Sequence, residues 1–220
     1  MPTVLITGAD RTFSSALAYR YATLGWQVIA AGSTAIDPSL KERFGDMVEC
    51  AHYDPLDKSS PAKLAEWLSG RAIDVAILDE GIADTDDRPQ EAIDANHWRP
   101  IMLANTFAPL HLASLLETNL RNGEQKILAA VSSRSASIGD YDGARTFAYR
   151  ASKAALNQMW RNLSVEWRPW GCICLLLSPD RVVDSADPGS AAARFQSFIE
   201  AAGSDRSGLH WTGDGRPISW

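Results

Sequence analysis

The sequence predicts an α/β fold: a single doubly wound domain over residues 1–220, with a mostly parallel sheet of about seven strands and helices on both faces. Three observations lead there. Short apolar runs alternate with longer amphipathic stretches from one end of the chain to the other, the pattern of strands crossed over by helices. A length of 220 residues is ample for one hydrophobic core and cramped for two. The polar, proline-containing stretches 79–90 and 180–189 each follow an apolar run, where ligand-binding loops of such sheets lie.

Residues 4–7 read as the first strand. Residues 13–24 read as a helix stopped by Gly25. Strands follow at 27–31 and 47–52, then a helix at 61–68 opened by Pro61. A fourth strand is expected at 74–78, a long helix at 97–120, a fifth strand at 126–132 and a second long helix at 147–167. A sixth strand at 172–177, a helix at 189–202 and a short strand at 208–212 complete the alternation.

Composition narrows the function. Hydrophobic residues at 45% and charged residues at 22% are ordinary for a globular protein. A net charge of -6 disfavours nucleic acid and anionic membranes as general partners. The start of the chain lacks a basic stretch leading into a long apolar run, and no apolar segment is long enough to span a bilayer, so a cytoplasmic protein is expected. Cys50, Cys172 and Cys174 suggest no disulfide framework, and Cys172 and Cys174 are expected as buried thiols on one strand face. His52, His97, His111 and His210 lack metal-ligand spacing, so no metal site is expected.

The strongest chemical signal is Tyr149-Arg150-Ala151-Ser152-Lys153. Tyrosine and lysine four apart at a helix start share one face. A phenol with an ordinary pKa near 10 is a poor proton shuttle at neutral pH, and a neighbouring ammonium favours the phenolate. Ser132 and Ser133 close the preceding strand, where a hydroxyl can bond a substrate carbonyl or alcohol. Asn105 is an amide on a strongly apolar helix, costly without partners.

With Leu5-Ile6-Thr7-Gly8, Asp54, Asn105-Thr106-Phe107-Ala108-Pro109 and Val131-Ser132-Ser133 in the same order, the chain resembles the short-chain dehydrogenases/reductases over nearly its whole length. Within them it is most similar to the short C-factor-like group, in the long loop between Ser133 and Tyr149 and in the Ser207–Trp220 tail. The resemblance implies a Rossmann-like fold and an oxidoreductase passing a hydride between NAD or NADP and a small carbonyl or alcohol. It implies a catalytic tetrad of Asn105, Ser133, Tyr149 and Lys153, with Ser133 chosen over Ser132 and Ser135 by alignment alone. The implied cofactor-binding set is Thr7, Gly8, Arg11, Thr12, Phe13, Ser33, Asp54, Gly81, Lys153, Pro179 and Val182.

The cofactor cradle departs from the family pattern. Where the family has Thr-Gly-x-x-x-Gly-x-Gly, this chain has Thr12 and Ser14 in place of the second and third glycines. Those glycines permit unusual backbone angles and close approach to pyrophosphate, and a β-branched threonine tolerates positive φ badly. The usual Asn-Asn-Ala-Gly is Leu78-Asp79-Glu80-Gly81, expected to set two carboxylates beside the cofactor. The usual Pro-Gly is Pro179-Asp180, and Asp184 stands for a threonine. Arg11 and the helix N-terminus are expected to compensate in part. The second strand ends at Gly32 without an acidic residue, which with Arg11 leans weakly toward NADP.

The alternative is a non-redox or pseudoenzyme member of the fold whose dinucleotide site is weakened or lost. Halohydrin dehalogenases, by resemblance, replace the nucleotide site with an aromatic-containing loop, and Phe13 fits that pattern. Their tyrosine is partnered by arginine, however, where Lys153 stands here. Apolar faces carrying Leu112, Leu115 and Leu116, and Leu156, Met159 and Leu163, exceed what one sheet covers, so a homodimer or homotetramer is expected.

Overall fold

In a computed structural model, which describes residues 1–82, 94–140, 146–179 and 187–220, seven parallel strands form one sheet. The strands are β1 (Thr3–Ile6), β2 (Gln27–Gly32), β3 (Val48–His52), β4 (Val75–Leu78), β5 (Ile127–Val131), β6 (Ile173–Ser178) and β7 (His210–Thr212). Their order is β3-β2-β1-β4-β5-β6-β7. Every residue of β4 and β5 is buried, as a strand covered on both faces requires.

Helices α1 (Thr12–Thr23), α2 (Pro38–Phe44) and α8 (Pro188–Glu200) supply one core, around Leu17, Tyr21, Leu40 and Phe195. Helices α3 (Ser60–Trp67), α5 (Ala108–Leu115), α6 (Glu117–Asn122) and α7 (Phe147–Glu166) supply the other, around Leu64, Leu112, Leu120 and Trp160. From β1 the chain winds outward through β2 and β3, then returns to β4 on β1's other side. The carboxyl ends of β1 and β4 therefore flank a topological switch point, where this class of sheet binds ligands.

Two elements differ from the sequence expectation. Residues 38–44 form α2, started by Asp37, whose carboxylate accepts from the Ser39 amide, and by Pro38 in the first turn. The helix expected at 97–120 is broken into α4 (Ala95–Met102), a π-helical turn (Leu103–Phe107), α5 and α6. Proline explains the first break. Pro109 has no amide to give the Asn105 carbonyl four residues earlier, and a π turn absorbs the missing bond.

The apolar helix faces are mostly consumed within the chain. Leu112, Leu116, Leu156 and Leu163 are buried in the second core, as are Trp160 and Trp167, leaving Phe107, Leu115 and Val165 as large exposed apolar side chains on these elements. This corrects the reading that those leucines await a partner. Cys172 and Cys174 are buried free thiols with sulfurs 3.9 Å apart. Among the described residues no helix is long and apolar enough to cross a membrane.

The amino ends of the central strands are tied by buried Asp74. Its carboxylate accepts from the Thr3 amide at 2.7 Å and the Glu124 amide at 2.8 Å, while its backbone bonds Thr3 and Ile127. Asp74→Ala removes both side-chain acceptors. It should lower the unfolding free energy in urea by about 1–3 kcal/mol, while ligand binding at the opposite end of the sheet changes little.

Candidate active site

The loop from β1 to α1 is held to β4. The Thr7 amide donates to the Ile77 carbonyl, the Ala9 amide to Ala31 and the Arg11 amide back to Gly8. Gly8 has φ +65°, and a Cβ there would lie 2.3 Å from the Asp79 carbonyl oxygen, so this position requires glycine. Thr12 needs no glycine. It is the first residue of α1, and the only non-glycine residues with positive φ among those described are Lys126 and Thr146. The expected strain at Thr12 is therefore absent. Arg11, the N-cap residue of α1, makes no side-chain cap, so among the described residues the first amides of the helix are unspent by one.

The two carboxylates expected to line the crevice are turned inward. Asp79 is buried, and its Oδ2 accepts from the Ser14 hydroxyl at 2.7 Å. Arg11 Nη1 donates to the Asp79 carbonyl at 3.1 Å and lies 3.5 Å from its carboxylate. Ser14 in the third glycine position and Asp79 in an asparagine position are thus bonded partners, two departures that explain each other. Burial pushes the Asp79 carboxyl up, against the opposing pull of Arg11 and Ser14.

Glu80 is equally buried. Its Oε1 accepts from the Thr7 hydroxyl at 2.5 Å, while Oε2 has no hydrogen-bond partner among the described residues. Burial raises its pKa to about 7 despite the Thr7 bond and the nearby Lys153 charge.

Lys153 reaches the same place from α7. Its ammonium donates to the Val131 carbonyl at 2.9 Å and the Glu80 carbonyl at 3.2 Å, across the mouths of β5 and β4. Gly81 completes the contact, since a Cβ there would lie 3.3 Å from Asn105 Oδ1 and 3.5 Å from Lys153 Nζ. Asn105, fully buried in the π turn, accepts from the Ile82 amide at 2.7 Å. Its amide nitrogen donates to the Ile82 carbonyl and to Ser152 Oγ. The polar residue on an apolar helix is therefore a clasp joining β4's exit to α7.

Tyr149 lies one turn before Lys153 and is 8% exposed. The two serines at the end of β5 separate clearly. The Ser132 hydroxyl donates to Asn157 Oδ1 at 2.6 Å. Ser133 Oγ accepts from the Ser135 amide at 3.2 Å, which leaves its own proton to give. The short turn that Ser133 opens, Arg134–Ala136, packs against α7.

The remaining expected residues are more dispersed. Ser33, beyond β2, donates its hydroxyl to Asp10. Asp54, beyond β3, accepts from the Leu56 amide and forms a local turn. Pro179 follows β6, and Val182, with Asp180 and Asp184, falls outside the described residues. Phe13 stacks edge-on against Phe195 with ring centroids 4.8 Å apart, so its side chain belongs to the α1–α8 contact and not to an aromatic ligand loop.

His210, read from sequence as unremarkable, is buried beside the site. Its Nε2 pairs with Ser178 Oγ at 2.6 Å and its Nδ1 with Asn157 Nδ2 at 3.4 Å, extending the Ser132–Asn157 bond. Burial lowers its pKa to about 4. Nothing in the spacing of the histidines could have found this network.

A dinucleotide fits these residues. Gly8 is pressed on the β4 exit with no side chain in the way, the N-terminus of α1 is uncapped, and Lys153 projects between the two strand mouths. A family model described as short chain dehydrogenase matches residues 2–185. The chain is 28% identical, over 233 aligned positions covering all of both chains, to a 1-hydroxy-2-glutathionyl-2-methyl-3-butene dehydrogenase of a Rhodococcus species. It is 31% identical to the C-signal protein of Myxococcus xanthus over 123 residues, 53% of this chain and 74% of that one. Among solved structures, a carbonyl reductase from Pseudomonas aeruginosa superposes with TM-score 0.88 at 28% identity over all of both chains. The same reductase in complex with NADP superposes with TM-score 0.85.

Glu80 gives this site a pH signature. With a folded pKa of about 7 and an ordinary value of 4.5, the native state keeps a proton that the unfolded chain releases in between. Stability contributed by the protonated carboxyl is full below about pH 4.5 and is lost as pH rises through about 7. Glu80→Gln removes the titration and can keep the Thr7 bond. Its unfolding free energy relative to wild type should rise from pH 5 to pH 8 by on the order of 1–3 kcal/mol. A difference that does not move with pH would contradict a buried, proton-holding Glu80.

Proposed function

The chain belongs to the short-chain dehydrogenase family, and we propose that it is a nicotinamide-dinucleotide-dependent oxidoreductase acting on a small carbonyl or alcohol substrate. The observation that carries this reading is Lys153. A buried ammonium one helical turn from Tyr149, held by two carbonyls at the mouths of adjacent strands, is costly to build and is suited to tuning a phenol. The NADP complex of the similar Pseudomonas carbonyl reductase supports the cofactor class.

In this reading the backbone at Thr7, Gly8, Thr12 and Phe13, the α1 N-terminus and Arg11 would hold the phosphates of the dinucleotide. Ser33, Asp54, Gly81, Lys153 and Pro179 would hold the rest, and the family resemblance adds Val182 to this set. The dinucleotide, when bound, supplies or takes the hydride. Tyr149 gives its phenolic proton to the substrate oxygen in reduction and takes one back in oxidation. Lys153 stabilises the resulting phenolate, and the Ser133 proton bonds the same substrate oxygen. Asn105 acts as a positioning residue, keeping Gly81 and α7 in register.

The non-redox reading drew on Phe13 and on the altered glycine loop. Phe13 packs on Phe195, and the Ser14–Asp79 bond gives one of the loop changes a structural reason. We also propose a homodimer or homotetramer, in which Phe107, Leu115 and Val165 are the apolar side chains of these helices left for a partner to cover. Light scattering should report more than one chain at micromolar concentration, and a monomer there would count against assembly.

The proton relay is tested by Tyr149→Phe. Turnover should fall at least about a hundredfold, with NADH binding largely kept. Near-normal turnover by this variant would remove the tyrosine from the mechanism.

A further inference from the structure

The weak lean toward NADP came from the absence of an acidic residue at the end of β2 together with Arg11 in the loop. The fold changes both. β2 ends at Gly32, which has no side chain, and the space above it is filled by Asp10 from the β1–α1 loop. A Cβ built on Gly32 would lie 2.9 Å from Asp10 Cγ and 2.9 Å from Oδ1. An acidic side chain is therefore present at this strand end, supplied from a different loop.

Asp10 is held there. Its Oδ2 accepts from the Thr34 hydroxyl at 2.7 Å, the Thr34 amide at 3.0 Å and the Ser33 hydroxyl at 3.1 Å. Partial burial pushes its carboxyl up, but the bonds from Thr34 and Ser33 outweigh it and keep the group below the usual range, so it is charged at neutral pH. The bonds from Ser33 and Thr34 all fall on Oδ2, and Oδ1 receives none from another residue among those described, which leaves it lone-pair capacity for a ligand. Arg11, next in sequence, is turned to Asp79 and shares its charge with that carboxylate.

An acid at the carboxyl end of β2 is where a dinucleotide fold bonds the ribose hydroxyls of the adenosine half and excludes a 2′-phosphate. Resting on the oxidoreductase reading above, we propose that Asp10 is the specificity-determining residue of the cofactor site and makes this protein select NAD over NADP. The carboxylate accepts from the ribose hydroxyls through Oδ1, and it opposes the dianionic 2′-phosphate at short range, with no salt bridge to a cation on Asp10 among the described residues.

The test is binding, read by the fluorescence of NADH and NADPH titrated with wild type and with Asp10→Asn. Asparagine keeps the shape and can still accept from Thr34, but loses the charge. Thermal unfolding checks that the variant is folded, and Asp10→Ser serves as a second variant. Wild type should bind NADH at least about tenfold tighter than NADPH, and the preference should shrink as salt rises. Asp10→Asn should cut the ratio about tenfold or more, chiefly by tightening NADPH. Wild type binding both equally, or NADPH better, would overturn the assignment, as would an unchanged ratio in both variants. Binding of neither nucleotide at millimolar concentration would overturn the oxidoreductase reading itself, and this assignment with it.

Discussion

The site depends on one buried interaction, the carboxylate of Asp79 bonded to Ser14 and faced by Arg11. A buried carboxylate is costly unless its lone pairs are satisfied. Here the partners come from the loop and first turn of α1, so satisfying the charge fixes that turn against the exit of β4. Glycine at position 14 would allow close helix–strand packing but would leave Asp79 short of a donor. The loop thus exchanges backbone freedom for a side-chain brace.

Glu80 extends the brace through Thr7, and its main-chain carbonyl receives Lys153. Between them Asp79 and Glu80 therefore touch both walls of the site: the β1–α1 loop through Ser14, Arg11 and Thr7, and α7 through Lys153. Asn105 closes the circuit from behind, because Pro109 forces a π turn at the point where its amide can reach Ile82 and Ser152. The consequence is a crevice whose walls are joined by hydrogen bonds from three separate segments, with Gly8 marking where a side chain must be absent and Gly81 where Asn105 and Lys153 approach the backbone closely.

The sheet was legible because parallel strands buried on both faces read as plain apolar runs, and all seven appear in the sequence in their proper order. The Tyr149–Lys153 pair was legible because its spacing is local to one helix. What sequence reasoning misjudged is side-chain direction across segments. Asp79 and Glu80 were expected to face the cofactor, yet their partners Ser14 and Thr7 lie more than sixty residues away. Asp10 is another case: it belongs to the β1–α1 loop, but its carboxylate leans over Gly32 to Thr34, twenty-four residues on. The break after Met102 had a written signal in Pro109, while α2 had one in Asp37-Pro38; both are capping or breaking residues that weigh little beside strong apolar periodicity.

On this structure the Asp79 brace stands in for the loop's missing glycine at position 14 and keeps the β1–α1 turn in a shape that fits a dinucleotide. Titrating NADH into wild type and into Asp79→Ala, each shown to be folded, tests it most directly. Wild type should bind saturably and one-to-one, and removing the brace should weaken binding about tenfold or more. Equal binding by the two proteins, or no binding by folded wild type at millimolar NADH, would contradict it.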